Sequence, residues 1–305
     1  MKKQIYFTAC VIVLASFIGI ACASSGETTD VTAVRNIDNR FSTRTYNLSD
    51  FTGIDVSSVV KVIYTQGEKY SVKLTGRTDW LDYMDVSATN GTLKVHAKEN
   101  RVFSNVRKED KPDGEHNFIL HLTAPSLQNI CLEGVSVFES SRLSADVLKV
   151  HIDGVSAFKV KNIDCKSIDG NVWGMSQIEV EEMAAQDVKW NIGGASKLNL
   201  SQVHKCENVK MDISGASHCV VAAKATGLMQ VILSGASKSD LTFKGGNLRT
   251  VFSGASTMDA KVDCAAVSAI CSGASTGKFS GTAKSVDVNA SDITSRIETS
   301  QLKKK

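Results

Sequence analysis

Eight serines occupy the last place of a recurring Gly-x-Ser triplet, as Ser136, Ser156, Ser176, Ser196, Ser217, Ser237, Ser256 and Ser275. A row of hydroxyls suggests nucleophiles, but a serine needs a base beside it to attack, and no row of histidines accompanies this one. These serines are expected to be structural, each bonding a neighbouring hydroxyl or a corner backbone group. Two other sets have more chemistry to offer. Glu133, His151, Asp153, Asn171, Trp173, Asn191 and Asp212 fall one or three residues before successive triplet glycines. Carboxylates, amides and an exposed aromatic ring are the groups that a sugar site uses. Five residues before the glycines stand Lys149, Asp169, Lys189, Lys210, Gln230, Arg249 and Ser268, a mostly basic stripe suited to an acidic glycan or a lipopolysaccharide phosphate. The expected ligand contacts are Asp153, Trp173, His151, Asn171, Asn191, Lys189 and Lys210.

Catalysis has less support in the same residues. Asp153 and Asp212 are three repeats apart, roughly 14 Å at strand spacing, too far for two carboxylates to work on one bond. Glu133 and Asp153 lie closer but make a single pair. With no Cys-x-x-Cys pair and no clustered histidines, no metal site is expected, and no catalytic residue or cofactor is assigned.

Whatever these residues do, the repeat must position them. The triplets begin at Gly134, Gly154, Gly174, Gly194, Gly215, Gly235, Gly254 and Gly273, nineteen to twenty-one residues apart. A unit of about twenty residues cannot bury its own apolar face and must stack on its neighbours. Two residues before the glycines come Leu132, Ile152, Val172, Ile192, Ile213, Leu233, Phe252 and Cys271; six before come Leu148, Ile168, Val188, Val209, Met229, Leu248 and Val267. The place between, four before, holds Val150, Gly170, Trp190, Met211, Val231, Thr250 and Ala269. Alternate residues face inward, as in a strand with one buried side. A further apolar column six residues past the glycine runs from Val160 to Phe279. The expected fold is all-β, a right-handed parallel β-helix of about eight rungs with a glycine at each tight corner.

Residues 46–125 read as an N-terminal β cap, antiparallel, with strands at Phe51–Val56, Lys61–Tyr64, Ser71–Leu74 and Thr92–Val95 and turns at Gln66-Gly67 and Asn90-Gly91. Such a cover protects the open strand edges of the stack. Residues 126–286 hold the repeats and 287–299 close the far end, where Ile293, Ile297 and Leu302 recur at near-helical spacing and suggest a short helix. Residues 300–305 read as a basic tail. Positions 46–299 therefore form one domain. On the last rungs Ile232, Val251 and Ile270 point outward as an apolar strip, expected to be covered by another part of the chain or by a second copy in a homodimer.

Met1, Lys2 and Lys3 followed by the apolar run Ala9–Ala21 mark a signal peptide, too short to span a bilayer. The protein is expected to be exported. Gly19-Ile20-Ala21-Cys22 resembles a lipobox with Cys22 as the lipidated residue, while Ala21-Cys22-Ala23 also fits ordinary cleavage after Ala23. A polar stretch over 22–45 would then serve as a tether. Net charge is +3, or +1 without Lys2 and Lys3, and no basic motif with interleaved aromatics occurs, so nucleic acid is not an expected partner. Cys165, Cys206 and Cys264 share a column with Ala145, Ala185, Thr226 and Gly245 and never stand on adjacent rungs, so free buried thiols are expected in place of disulfides.

Phe51-Thr52-Gly53-Ile54-Asp55-Val56, the Asn90-Gly91-Thr92-Leu93 turn and the Ser-Gly-Ala-Ser at Ser214, Ser234, Ser253 and Ser272 resemble the putative auto-transporter adhesin head GIN domain family, over roughly Tyr46 to Asp287. The resemblance implies an exported, often lipid-anchored protein of the Gram-negative envelope, on the outer membrane or in the periplasm, with a single-stranded right-handed β-helix and no known catalytic site. Early rungs depart by carrying Gly-Val-Ser or Gly-Met-Ser. The function expected is adhesin-like binding of a glycan or an envelope surface protein. A purely structural envelope role and a polysaccharide-active enzyme are the alternatives.

Overall fold

The computed structural model describes residues 40–98 and 106–305, which belong to a compact unit spanning Ala33–Lys305. The expected signal peptide and Cys22 lie outside the described residues. Eighteen strands form one continuous hydrogen-bonded system, a parallel β-solenoid of about nine coils.

Six long strands make the middle of the stack: β9 (Val137–Ile152), β10 (Ala157–Val172), β11 (Gln177–Ile192), β14 (His218–Leu233), β15 (Lys238–Phe252) and β16 (Thr257–Cys271). Each runs from one glycine corner to the next. Between β11 and β14 the same path is divided into β12 (Lys197–Cys206) and β13 (Asn208–Ile213). Pairing is parallel and in register, so that Ile168 lies on Val188 and Val172 on Ile192. The inward columns two and six residues before the glycines are buried throughout. An interior column beyond the corner, at Phe138, Phe158, Ile178 and Leu198, also fills the core. Aromatic rings stack there, with centroids 5.3 Å apart for Phe138 and Phe158 and 5.9 Å for Phe138 and Tyr64 of the neighbouring column, a geometry that adds to plain area burial.

Every triplet glycine has φ between 69° and 80°, and every triplet serine is buried. The serine hydroxyls close the corners. Ser156 Oγ donates to the Asp153 carbonyl at 2.9 Å, Ser176 Oγ to Trp173 at 2.9 Å and Ser275 Oγ to Ser272 at 2.7 Å. That is hydroxyl chemistry spent on backbone acceptors, as expected of a structural row.

The ends differ from the sequence reading. Strand β1 (Phe41–Tyr46) pairs antiparallel with β4 (Ser71–Arg77), so the polar stretch stops short of position 45. The N-terminal region is a mixture. Antiparallel pairs join β4 to β7 (Phe118–Ala124) and β5 (Met84–Thr89) to β6 (Thr92–Ala97). The latter hairpin turns at Asn90 and Gly91, both with positive φ, as a two-residue turn requires. But β2 (Gly53–Val56) stacks parallel on β6 and on β8 (Asn129–Leu132), and β3 (Val60–Gln66) stacks parallel on β7 and β9. These two strands are themselves a coil. Ser58, with φ 97°, stands in the place of its corner glycine, and its carbonyl accepts from Val135 N at 3.2 Å. At the other end β17 (Thr276–Ala290) pairs with β18 (Arg296–Lys304) in parallel. The expected helix and basic tail are therefore a strand. Ile297 and Leu302 pack against the core, while Ile293 sits fully exposed at the corner.

The six cysteines of the described residues are all free. Ala225 and not Thr226 occupies the small-residue column, in register with Cys206 and Gly245, because the strand carries an irregularity between Ala225 and Leu228. Burial pushes the thiols up, to about 12 for Cys165 and Cys219 and about 11 for Cys206 and Cys131. At pH 8 their thiolate content falls to about a thousandth or less, and the thiolate is the reactive form. A form of the chain starting at Ser24 is expected to react slowly with Ellman's reagent when native and to release all six thiols in denaturant; six fast native thiols would contradict the burial. Folded thiols with raised pKa hold protons that unfolded thiols release. Their contribution is complete below about pH 9 and is lost as pH rises beyond it.

Candidate functional site

The arm of each coil that leads into the glycine corner carries the candidate residues, because outward positions alternate with the buried columns along it. One outward column, three residues before the glycines, runs Cys131, His151, Asn171, Asn191, Asp212, Ile232, Val251 and Ile270 in parallel register. Five before run Lys149, Asp169, Lys189 and Lys210. One before run Glu133, Asp153, Trp173 and Gly193, each backbone N–H bonded to the coil below, as Trp173 N to Ile152 O at 2.9 Å. All seven expected contacts thus share one face over four coils.

Their mutual bonding changes the electrostatics expected of them. Lys189 Nζ lies 3.0 Å from Asp169 Oδ2, and Lys210 Nζ lies 3.4 Å from Asp212 Oδ2. Two of the three lysines of the stripe are therefore neutralised locally, and the stripe is not the strong anion field that a count of lysines implies. Asn191 Nδ2 donates to Asn171 Oδ1 at 2.8 Å, and Asn171 Nδ2 to Asp169 Oδ1 at 3.4 Å. The result is a connected polar strip of fixed side chains. Two shallow depressions follow it. One of about 340 Å³ is lined by Cys131, Lys149, His151, Asp169 and Asn171; the other, of about 540 Å³, by Val147, Asp187, Lys189, Lys210 and Leu228.

Trp173 projects from this strip with 48% of its surface exposed. Its ring rests on Gly193 of the next coil, where a Cβ would come within 2.3 Å of ring carbon Cζ3. Gly193 itself is buried. The column elsewhere holds a serine or a carboxylate, so the glycine here is a seat for the indole. Asp153, one coil below, is also fixed: its Oδ1 accepts from Gly154 N at 2.7 Å.

The middle residues of the triplets contribute a feature that sequence reasoning missed. Val135, Val155 and Met175 are exposed by 46%, 48% and 64% and make an apolar ridge at the corner beside Trp173. Later coils carry alanine there. The signal was the size of that middle residue. A second missed cluster lies on the other arm, where His218 Nε2 and Lys238 Nζ approach Asp240 Oδ2 at 3.0 and 3.2 Å, above a depression of about 440 Å³ lined by Asn199, Val220, Asp240 and Asp259. Burial pushes the Asp240 carboxyl up, but hydrogen bonds from His218 and Lys238 outweigh it and hold it below the usual range. Its columns past the glycine could have been read in the same way.

Glu133 and Asp153 stand on adjacent coils, whereas Asp153 and Asp212 belong to different columns three coils apart. Among the described residues no group of three or more His, Cys, Asp or Glu side chains is placed to hold a metal ion.

A family model described as "Putative auto-transporter adhesin, head GIN domain" matches residues 50–238. The fold is similar to that of a putative adhesin from Parabacteroides distasonis, at 15% identity and TM-score 0.66, over 83% of this chain and 98% of that one. It is also similar to a putative adhesin from Parabacteroides merdae, at 16% identity and TM-score 0.61, over 82% of this chain and 96% of that one. No curated protein matches the sequence.

Proposed function

The chain belongs to the putative auto-transporter adhesin, head GIN domain family, and from that premise we propose that it is a non-enzymatic binding module of the cell envelope whose leading-arm face takes a glycan. The observation that carries this reading is Trp173, half exposed and seated on Gly193 beside a strip of interlinked Asn and Asp side chains. A large exposed aromatic is expensive to leave in water, and one held rigid by backbone loses little entropy when a ring packs on it. The fixed amides and carboxylates around it supply directional bonds to hydroxyls. The open depressions give a reacting bond no shelter from water, which favours binding over catalysis.

Titration of the chain from Ser24 onward with oligosaccharides selected on a glycan array is expected to give saturable binding. Trp173→Ala should weaken it at least tenfold with the fold intact. Equal affinity in that variant would remove Trp173 from the site.

The anchor is part of the same proposal. Cys22, three residues after Gly19 at the end of the apolar leader, is the candidate lipid-bearing residue, and one lipidated terminus would keep the module at a membrane surface. Metabolic labelling with a fatty acid is expected to mark the wild-type protein and to fail with Cys22→Ser. Label retained in that variant would assign export without an anchor at Cys22.

A further inference from the structure

Three properties of the corner around Trp173 narrow the ligand beyond "glycan". First, the corner surface next to the indole is apolar: Val155 and Met175 are exposed on successive corners, stacked through Met175 N to Gly154 O at 2.8 Å, while the following coils offer the smaller Ala195 and Ala216. Valine offers a hydroxyl no bond, and the methionine thioether is only a weak acceptor. What they can bury is a methyl group projecting from the edge of a sugar that lies on Trp173.

Second, the column below the indole is acidic. Asp153 and Glu133 are both exposed, and Asp153 is held in place through Oδ1 by Gly154 N, leaving Oδ2 to accept from a ligand hydroxyl. A carboxylate, sulfate or phosphate on the sugar would meet these two charges and be repelled. Third, two of the three lysines on this face are already engaged. Lys189 is engaged with Asp169 and Lys210 with Asp212.

We infer that the Trp173 corner selects a neutral sugar bearing a methyl group, the pyranose ring lying on the indole, a hydroxyl donating to Asp153 Oδ2 and the methyl packing between Val155 and Met175. This rests on the glycan reading above and replaces the acidic ligand that the lysine stripe suggested. The methyl has two chemical sources, an N-acetyl group or a 6-deoxy carbon.

The test compares matched probes by calorimetry on the chain from Ser24 onward: tri-N-acetylchitotriose against cellotriose, an α-L-fucosyl oligosaccharide against its α-L-galactosyl counterpart, and trigalacturonate as the acidic probe. One buried methyl is worth roughly fourfold in affinity. At least one methyl-bearing probe should therefore exceed its partner by about that factor, with trigalacturonate weakest. The pair that shows the preference identifies the source of the methyl. Met175→Ser, at a position exposed enough to leave the fold alone, should erase the preference while leaving the methyl-free probe unchanged. Asp153→Asn should raise the affinity for trigalacturonate. Binding lost in Trp173→Ala but without methyl preference, or with trigalacturonate tightest, overturns this inference and leaves the glycan site standing. No binding of any probe overturns both.

Discussion

Gly194→Val is expected to cost the domain about 4 kcal/mol, and the loss separates into two causes. The residue has φ +72°, and a Cβ would lie 2.2 Å from the Gly174 carbonyl oxygen and 2.9 Å from Gly174 N. Left-handed backbone costs an L-residue about 1–2 kcal/mol. Overpacking adds about 1–3 kcal/mol where the neighbour cannot yield. This neighbour is backbone, and its carbonyl already accepts from Ala195 N at 2.8 Å in the ladder that stacks the coils. Gly91→Ala isolates the first cause, because Gly91 has φ +71° with nothing within 4 Å of a Cβ. That variant should lose only about 1 kcal/mol. In a domain of this size the corner variant should melt roughly 10 °C lower. Equal losses in the two variants, measured by urea unfolding, would show that the stacked carbonyl does not constrain the corner.

Trp190→Ala should cost about 3–5 kcal/mol, the range for deleting a fully buried large aromatic. Trp190 is wholly buried in the inward column, and the coil below makes room for it: a Cβ on Gly170 would lie 2.1 Å from its ring carbon Cε3. Gly170→Ala alone should therefore destabilise by overpacking, roughly 1–3 kcal/mol. In the Trp190→Ala background the same change enters an emptied space and should be neutral or restore stability. Contacting residues show such coupling; independent ones add. Additive losses in the double variant would break the pairing. The indole Nε1 has no partner, so Trp190→Phe, which removes an unpaired buried donor, should lose much less than Trp190→Ala.

Those two glycines explain much of what the sequence made legible. Corner glycine, buried serine and inward columns repeat because each coil meets the same neighbours above and below, so those columns were readable through the middle of the fold, while Thr226 was misplaced by the irregularity between Ala225 and Leu228. The ends were not, since an end coil has one neighbour and escapes the constraint. Ser58 replaces the first corner glycine with φ 97°, and Val60 sits buried where the serine would be. At the far corner Asp292–Ser295 stand where a triplet would: Ser295 Oγ still donates to the Asp292 carbonyl at 2.8 Å, but Asp292 Oδ2 accepts from Gly273 N at 2.5 Å and Thr294 Oγ1 donates to Gly273 O at 2.8 Å. The spacing of Ile293, Ile297 and Leu302 imitated a helix because the last strand is irregular, its register on β17 shifting between Lys278 and Ser280.

In the site, column membership was legible and interaction was not. Trp173, Asp153 and the Asn171–Asn191 pair lie where alternation puts them. The neutralisation of Lys189 by Asp169 depends on which rotamers meet, and spacing along the chain does not specify that. The seat was closer to readable. Gly193 breaks a column of polar residues one coil above a tryptophan, and a missing side chain beside a large one is a packing signal.

The most direct measurement uses the chain's three tryptophans, Trp80, Trp173 and Trp190, as reporters. With ¹⁵N in the indole groups, each gives one Nε1–H signal, and the three environments differ: Trp190 is fully buried, Trp80 lies under Arg77 at 4.7 Å, and Trp173 stands open on the candidate face. Titration with the tightest-binding neutral oligosaccharide should move the Trp173 signal along a saturable curve and leave Trp80 and Trp190 in place. Saturable binding with the Trp173 signal unmoved would contradict the account, because the glycan would then occupy another surface of the coil.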